Sequence, residues 1–330
     1  MKQSMDEAPT RRRMLALGAV AGGGLFAVRK IQAGSADDER NENCDHDEDD
    51  QPTTSQRSVS EEISDIIQAD GMWSDGVYSI EVDRNDIDNV QIHGVPIKPS
   101  FEVNGTIYFQ FDCSGRVMMN ADMALKPNET NPFIDALLAN NLIFQAFHMH
   151  FYDFDPMVWF IHYRAFGDPL KIAHGIKDAL NQTSTPFPQT MPSNPTTPLP
   201  ADEIGKILGA TPQISSDGVV NYDVPRRDPV WLGGMRINPY LNVATAISFE
   251  PLDQSGQTAA AVPDFGMVQQ EVMPVVRVMR AQGWDVGCLY NQETDERPQL
   301  FFSHQLKTGD PIQLAHEIRN GLNKMDVKFQ

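Results

Sequence analysis

The stretch QAFHMHFYDFDPMVWFIHY, residues 145–163, places three histidines within fifteen positions, His148, His150 and His162. Asp153 to Pro156 are turn formers, so the runs 143–151 and 157–164 read as the two strands of a hairpin. Residues two apart on a strand face the same way. Ala146, His148 and His150 therefore share one side, and Phe147, Met149 and Phe151 line the other. If residue 151 opposes 157, His148 faces Phe160 and Ala146 faces His162, which makes His148 and His162 diagonal neighbours.

The segments around this hairpin occur twice. Sliding the chain by 142 places Asp122 on Asp264, Glu129 on Glu271, Pro156 on Pro298, Phe160 on Phe302 and His162 on His304. The register runs on through Gly167-Asp168-Pro169 onto Gly309-Asp310-Pro311 and His174 onto His316. Sixteen of the 62 ungapped positions from 121 to 182 are identical, against roughly one in sixteen by chance, which is a duplication. Upstream, DGVYSIEVDR (75–84) matches DGVVNYDVPR (217–226).

Each copy opens with a short helix and continues in alternating strands such as GVYSIEV and TIYFQF. A helix follows from about Glu129 or Glu271, then the hairpin. The last helix is capped by Asp168 or Asp310, with proline at its first position. Helices on one face of a mainly antiparallel sheet make an α+β fold, and two such sheets are expected to pack as a pseudo-symmetric pair. The division is 59–182 for repeat 1 and 201–330 for repeat 2. Between them lies a linker, 183–200, whose six prolines forbid a helix or a central strand.

The order GVY…VPR, a strand ending in aspartate, E-x-N-P opening a helix, HxH on a strand, a histidine on its partner strand and GDP before a helix resembles the LppY/LpqO family of exported proteins. The resemblance spans about residues 60–325 in both copies. It implies this architecture and export, and no established activity. The family pattern has HNH in its strand, where repeat 1 has His148-Met149-His150 and repeat 2 has Tyr290-Asn291-Gln292.

The N-terminus agrees with export. Arg11 to Arg13 precede a short Gly/Ala-rich apolar run, as in a twin-arginine-type signal over residues 1–33. Membrane attachment is then expected only through an uncleaved signal. Residues 34–58, with DDERNENCDHDEDD at their centre, read as a disordered acidic tether. Forty-five acidic against 26 basic residues, a net charge of -19, argue against nucleic-acid binding. Cys44, Cys113 and Cys288 show no metal or disulfide spacing, and no bridge is expected. Nucleophile elbow, zincin, Walker and dinucleotide motifs are all missing.

Two functions remain open. One is a non-catalytic protein binding a small molecule or cell-envelope component between its sheets. The other is a metal-dependent, hydrolase-like enzyme using a histidine cluster confined to repeat 1, with His148, His150, His162 and Asp122 around one divalent transition metal. The structural alternative makes the histidines a polar sheet rim, with His304 kept for folding alone. Asp122 and Asp264 would then cap the turn into the following helix, and Glu129 and Glu271 would serve helix N-termini. His174 and His316 fall about 140° from the apolar face of their helix and are expected in solvent.

Overall fold

The computed structural model describes residues 51–330. Repeat 1 runs α1 (Thr54–Ile67), β1 (Gly71–Ser74), β2 (Val77–Asp83), β3 (Gln91–Ile92), β4 (Val95–Pro96), α2 (Pro99–Glu102), β5 (Asn104–Phe111), β6 (Val117–Leu125), α3 (Thr130–Ala139), β7 (Ile143–His148), β8 (Trp159–Gly167) and α4 (Pro169–Leu180). Repeat 2 runs α5 (Ala201–Leu208), β9 (Gln213–Ile214), β10 (Val220–Val224), β11 (Val230–Leu232), β12 (Met235–Ile237), β13 (Thr245–Pro251), β14 (Ala259–Val268), α6 (Gln269–Ala281), β15 (Asp285–Val286), β16 (Leu300–Gly309) and α7 (Pro311–Leu322). The two main sheets have the same order, β1-β2-β5-β6-β8-β7 and β9-β10-β13-β14-β16-β15, and every pairing is antiparallel. The chain is thus α+β, two repeats of one antiparallel unit.

Strand parity builds the layers. On β6, Met119, Ala121 and Met123 join a core with Ile63, Phe133, Leu137 and Ile176 from α1, α3 and α4. In repeat 2, Phe249, Ala261 and Phe265 pack on Ile204, Met279 and Ile318 from α5, α6 and α7. The alternate residues point the other way. Ala124 and Phe160 from one sheet meet Ala260, Val262 and Leu306 from the other, so the sheets lie face to face with the helices outside. Polar contacts cross the same interface: Asn120 donates to Glu293 at 2.7 Å, and Asn238 donates to the Asp75 carbonyl at 2.8 Å.

The repeated Arg and Glu form a buried pair in each copy. Arg84 binds Glu129 at 2.8 Å, and Arg226 binds Glu271 at 2.6 Å. Glu129 also accepts from the Lys126 and Ser184 amides, and Glu271 accepts from the Val268 and Asp326 amides. These glutamates therefore tie the strand before the helix, the helix itself and the chain after the last helix of each repeat into one knot. This goes beyond the expected helix-end role. Asp168 and Asp310 cap α4 and α7 as expected, each accepting from a backbone amide at 2.8 Å.

Three expectations need correction. The helix α1 begins at Thr54, inside the stretch read as tether, because Thr53 and Gln56 form a reciprocal capping box; residues 34–50 lie outside the described range, as does the signal, 1–33. Cys113 is disulfide-bonded, whereas no bridge was expected, since separation along a chain sets no distance in space; Cys288 is free. Asp122 and Asp264 sit within β6 and β14 and cap no turn, facing His162 and His304 across the strands. The linker, by contrast, has no helix or main-sheet strand. Its Gln189 side chain bonds both backbone groups of Asp83. No helix among the described residues is long and apolar enough to cross a membrane.

Candidate functional site between the sheets

The hairpin forms in the expected register: Ala146 pairs with His162 and His148 with Phe160, with an irregularity between Phe144 and Ala146. The diagonal then closes, and His148 Nε2 lies 2.9 Å from His162 Nε2. His150, just past the end of β7, stacks on Phe160 at 3.4 Å. One nitrogen from each of His148, His150 and His162 falls within 4.8 Å of the others.

The second repeat enters here. The His304 ring stacks on His150 at 3.6 Å, and Glu102, His150 and His304 form a second group of ligand atoms within 4.8 Å. His150 belongs to both groups. Its Nδ1 lies 2.9 Å from Glu102 Oε2, while its Nε2 is buried without a partner. When Glu102 is ionised it accepts from Nδ1–H, the tautomer that leaves Nε2 as a metal-binding lone pair. The cluster is thus not confined to repeat 1, and His304 is not merely retained for folding. Tyr290, the counterpart of His148, stacks directly on it at 3.6 Å. A residue packed on its own counterpart lies beside the axis relating the copies, which places the cluster at the centre of the pseudo-dimer.

Of the four residues read as candidate ligands, the structure brings His148, His150 and His162 together. Asp122 faces the same cavity opposite His162 and accepts from the Thr106 amide at 3.1 Å, but it joins neither ligand group. Glu102 and His304 were missed. Glu102 ends a four-residue helix in a stretch without periodicity, so nothing local marks it. His304 carried a signal in its identity with His162, but only the packing of the sheets gives it a partner.

Burial controls the charges. Desolvation lowers all four histidines, His148 to about 4 and His150, His162 and His304 well below the usual imidazole range. At neutral pH these rings are uncharged, as nitrogen ligands must be. Desolvation also raises the carboxyls around them: Asp122 and Asp264 to about 7, and Glu102 well above its ordinary value with Asp264 and Asp122 adding repulsion. The cavity between the sheets has an interior volume of about 180 Å³. Six carboxylate side chains and three histidines line it, and no lysine or arginine does. Imidazole with carboxylate suits zinc, cobalt, nickel, copper or ferrous iron. Two nitrogens on one tetrahedral ion sit about 3.3 Å apart at bond lengths of about 2.0–2.1 Å, so His148 and His162 need move apart only slightly. His174 and His316 are exposed, as expected from their helical position.

Among curated proteins, none matches this chain significantly. Among solved structures it is similar to that titled "Crystal structure of EtuB from Clostridium kluyveri", at 10% identity over 78% of this chain and 91% of that one. The TM-score is 0.17, too low to argue from. A family model matches twice, at residues 61–182 and 202–324, spanning both sheets and all but the first residues of α1. The chain therefore belongs to the family described as Domain of Unknown Function (DUF1259), and it carries two tandem copies of that domain.

Proposed function

We propose that this is an exported metal-binding protein that seats one divalent transition-metal ion between its two sheets, with His150 as the common ligand. The observation that supports the reading most is the convergence of neutral, buried imidazoles from both repeats around His150, whose Nε2 has no partner, beside Glu102, in a cavity walled by carboxylates and lacking lysine and arginine. Such a wall is destabilised by its own desolvation and repulsion, and a bound cation relieves both. In this reading export runs through the twin-arginine-type signal, as in the LppY/LpqO family, and the cavity serves as the ligand site. A metal-dependent, hydrolase-like reaction is a second reading. It is favoured by the cavity itself, which gives a small substrate room beside the histidines.

Elemental analysis of protein purified without a histidine tag tests the proposal. One ion per chain is expected, with His150→Ala losing it. Metal content below about 0.1 per chain after incubation with zinc, cobalt or nickel would overturn the metal reading, as would undiminished content in His150→Ala. Cobalt absorption in the visible range, diminished by His304→Ala but not by His148→Ala, would place the ion on Glu102, His150 and His304. The converse would place it on the hairpin.

A further inference from the structure

The carboxylates that line the inter-sheet cavity do not all belong to the histidine cluster. Glu81 on β2 and Asp223 on β10, one from each repeat, also line this cavity and belong to neither ligand group; their part of the lining is the Glu81–Asp223 arm. Tyr108 lines the same cavity, and burial first, then the charges of Asp223, Asp122 and Glu81, raise its hydroxyl pKa. Asn104 donates to Glu81 at 2.8 Å, but no positive side chain lines this arm. Two histidines in the same wall, His150 and His162, are more than nine-tenths buried, and each has a ring nitrogen without a partner.

A point charge cannot satisfy this arm. Among the described residues, only the two histidine-containing groups bring three ligand atoms within 4.8 Å, so Glu81, Asp122 and Asp223 are too dispersed to share one ion. An extended molecule carrying several N–H donors can reach separated carboxylates one after another, and its ammonium groups are favoured over the face of a tyrosine. A neighbouring hollow carries the same sign. A second hollow, bounded by Asp70, Asp83 and linker residues such as Met191, shares Glu81 with the main cavity and also lacks lysine and arginine. An acidic hollow beside the cavity concentrates cations.

We propose that the Glu81–Asp223 arm binds an organic polycation, a diamine or polyamine, inserted past Glu81 with its leading ammonium directed toward the histidine cluster. The proposal rests on the reading of the inter-sheet cavity as the ligand site and does not depend on which metal, if any, is bound. Relief of desolvation is the free-energy source: burial raises Asp223 to about 6, and Glu81 is raised by burial first and by Asp83 second.

Putrescine and spermidine serve as probes, with 1,4-butanediol and succinate as the neutral and anionic controls of similar length, in calorimetric titration and thermal unfolding of the tag-free protein. Saturable binding with a raised Tm is expected for the two amines only. Glu81→Gln and Asp223→Asn are each expected to weaken putrescine at least tenfold while leaving metal content unchanged. Both variants remove an ionisable group without changing volume, so an unchanged or raised Tm in ligand-free protein shows that they fold. No amine binding would overturn the proposal, as would amine binding unaffected by both substitutions, which is attraction to the acidic surface alone. Amine binding without metal uptake would sink the metal reading and leave this one standing; metal uptake without amine binding does the reverse.

Discussion

Repeats 1 and 2 differ most where they touch. Their sheets share strand order, and their buried Arg–Glu knots and capping aspartates superpose by a single shift of 142 residues. Yet His148 and His150 stand where repeat 2 has Tyr290 and Gln292, and Gln292 donates to the Asn242 carbonyl within its own repeat. Residues that face helices are constrained by packing in both copies alike. Residues at the pseudo-axis meet their own counterparts, so a change in one copy alters a single shared site rather than one of two. Divergence there produces one asymmetric centre.

The largest expected effect tests what the copies share. Glu129→Ala leaves Arg84, with a fully buried side chain, short of its main partner, and urea denaturation should show a loss of about 3–5 kcal/mol. Glu271→Ala should cost at least as much, because the remaining acidic partner of Arg226, Asp228, is half exposed at 3.4 Å while Asp86 holds Arg84 at 2.9 Å. Equal and negligible losses would remove the knots from the shared framework.

Next comes what the copies do not share. His150→Ala should weaken metal binding by more than about 100-fold, since even outer-shell changes cost about 10–100-fold, whereas Gln292→Ala should change it less than about threefold by titration with a competing chelator. Tyr290→His combined with Gln292→His should still give at most one ion per chain, because both hairpins converge on one centre. Two ions in that variant would mean that the copies hold independent sites.

The pH dependence sharpens the role of the cavity. A carboxyl raised in the folded state holds a proton that the unfolded chain has already lost, so stability is present at low pH and falls as pH rises through the folded value. Asp122 and Asp264, at about 7, place that loss near neutrality, and Glu293, also raised by burial to about 7, adds to it. The lowered histidines act oppositely but only below about pH 6.5, where the unfolded rings protonate. Metal-free protein should therefore lose on the order of 2 kcal/mol between roughly pH 6.5 and 8. Zinc should reduce or reverse the slope, because ionised carboxyls and neutral imidazoles favour the ion. A flat profile without metal would contradict the assigned proton positions. The smallest effect is expected at the repeated, exposed His174 and His316: alanine at either should stay within about 0.5 kcal/mol of the parent and leave metal content alone.

Several features were legible in the chain itself. The 142-residue period, the strand parity of VMMNADMAL, the turn at 153–156 and the Gly-Asp-Pro helix starts are local or periodic signals, and they fixed the repeats, the hairpin register and the His148–His162 diagonal. Capping at Thr53 was equally local, though masked by the acidic run before it. The joining of Glu102 and His304 to His150 was not legible, nor was the cavity with its acid wall. Those contacts link positions 48 and 154 residues from His150, and they exist because each sheet, covered by helices on one face, must bury its other face against a second sheet. Sequence determined which side of each strand a residue occupies; only the docking of the two repeats decided what that side would meet.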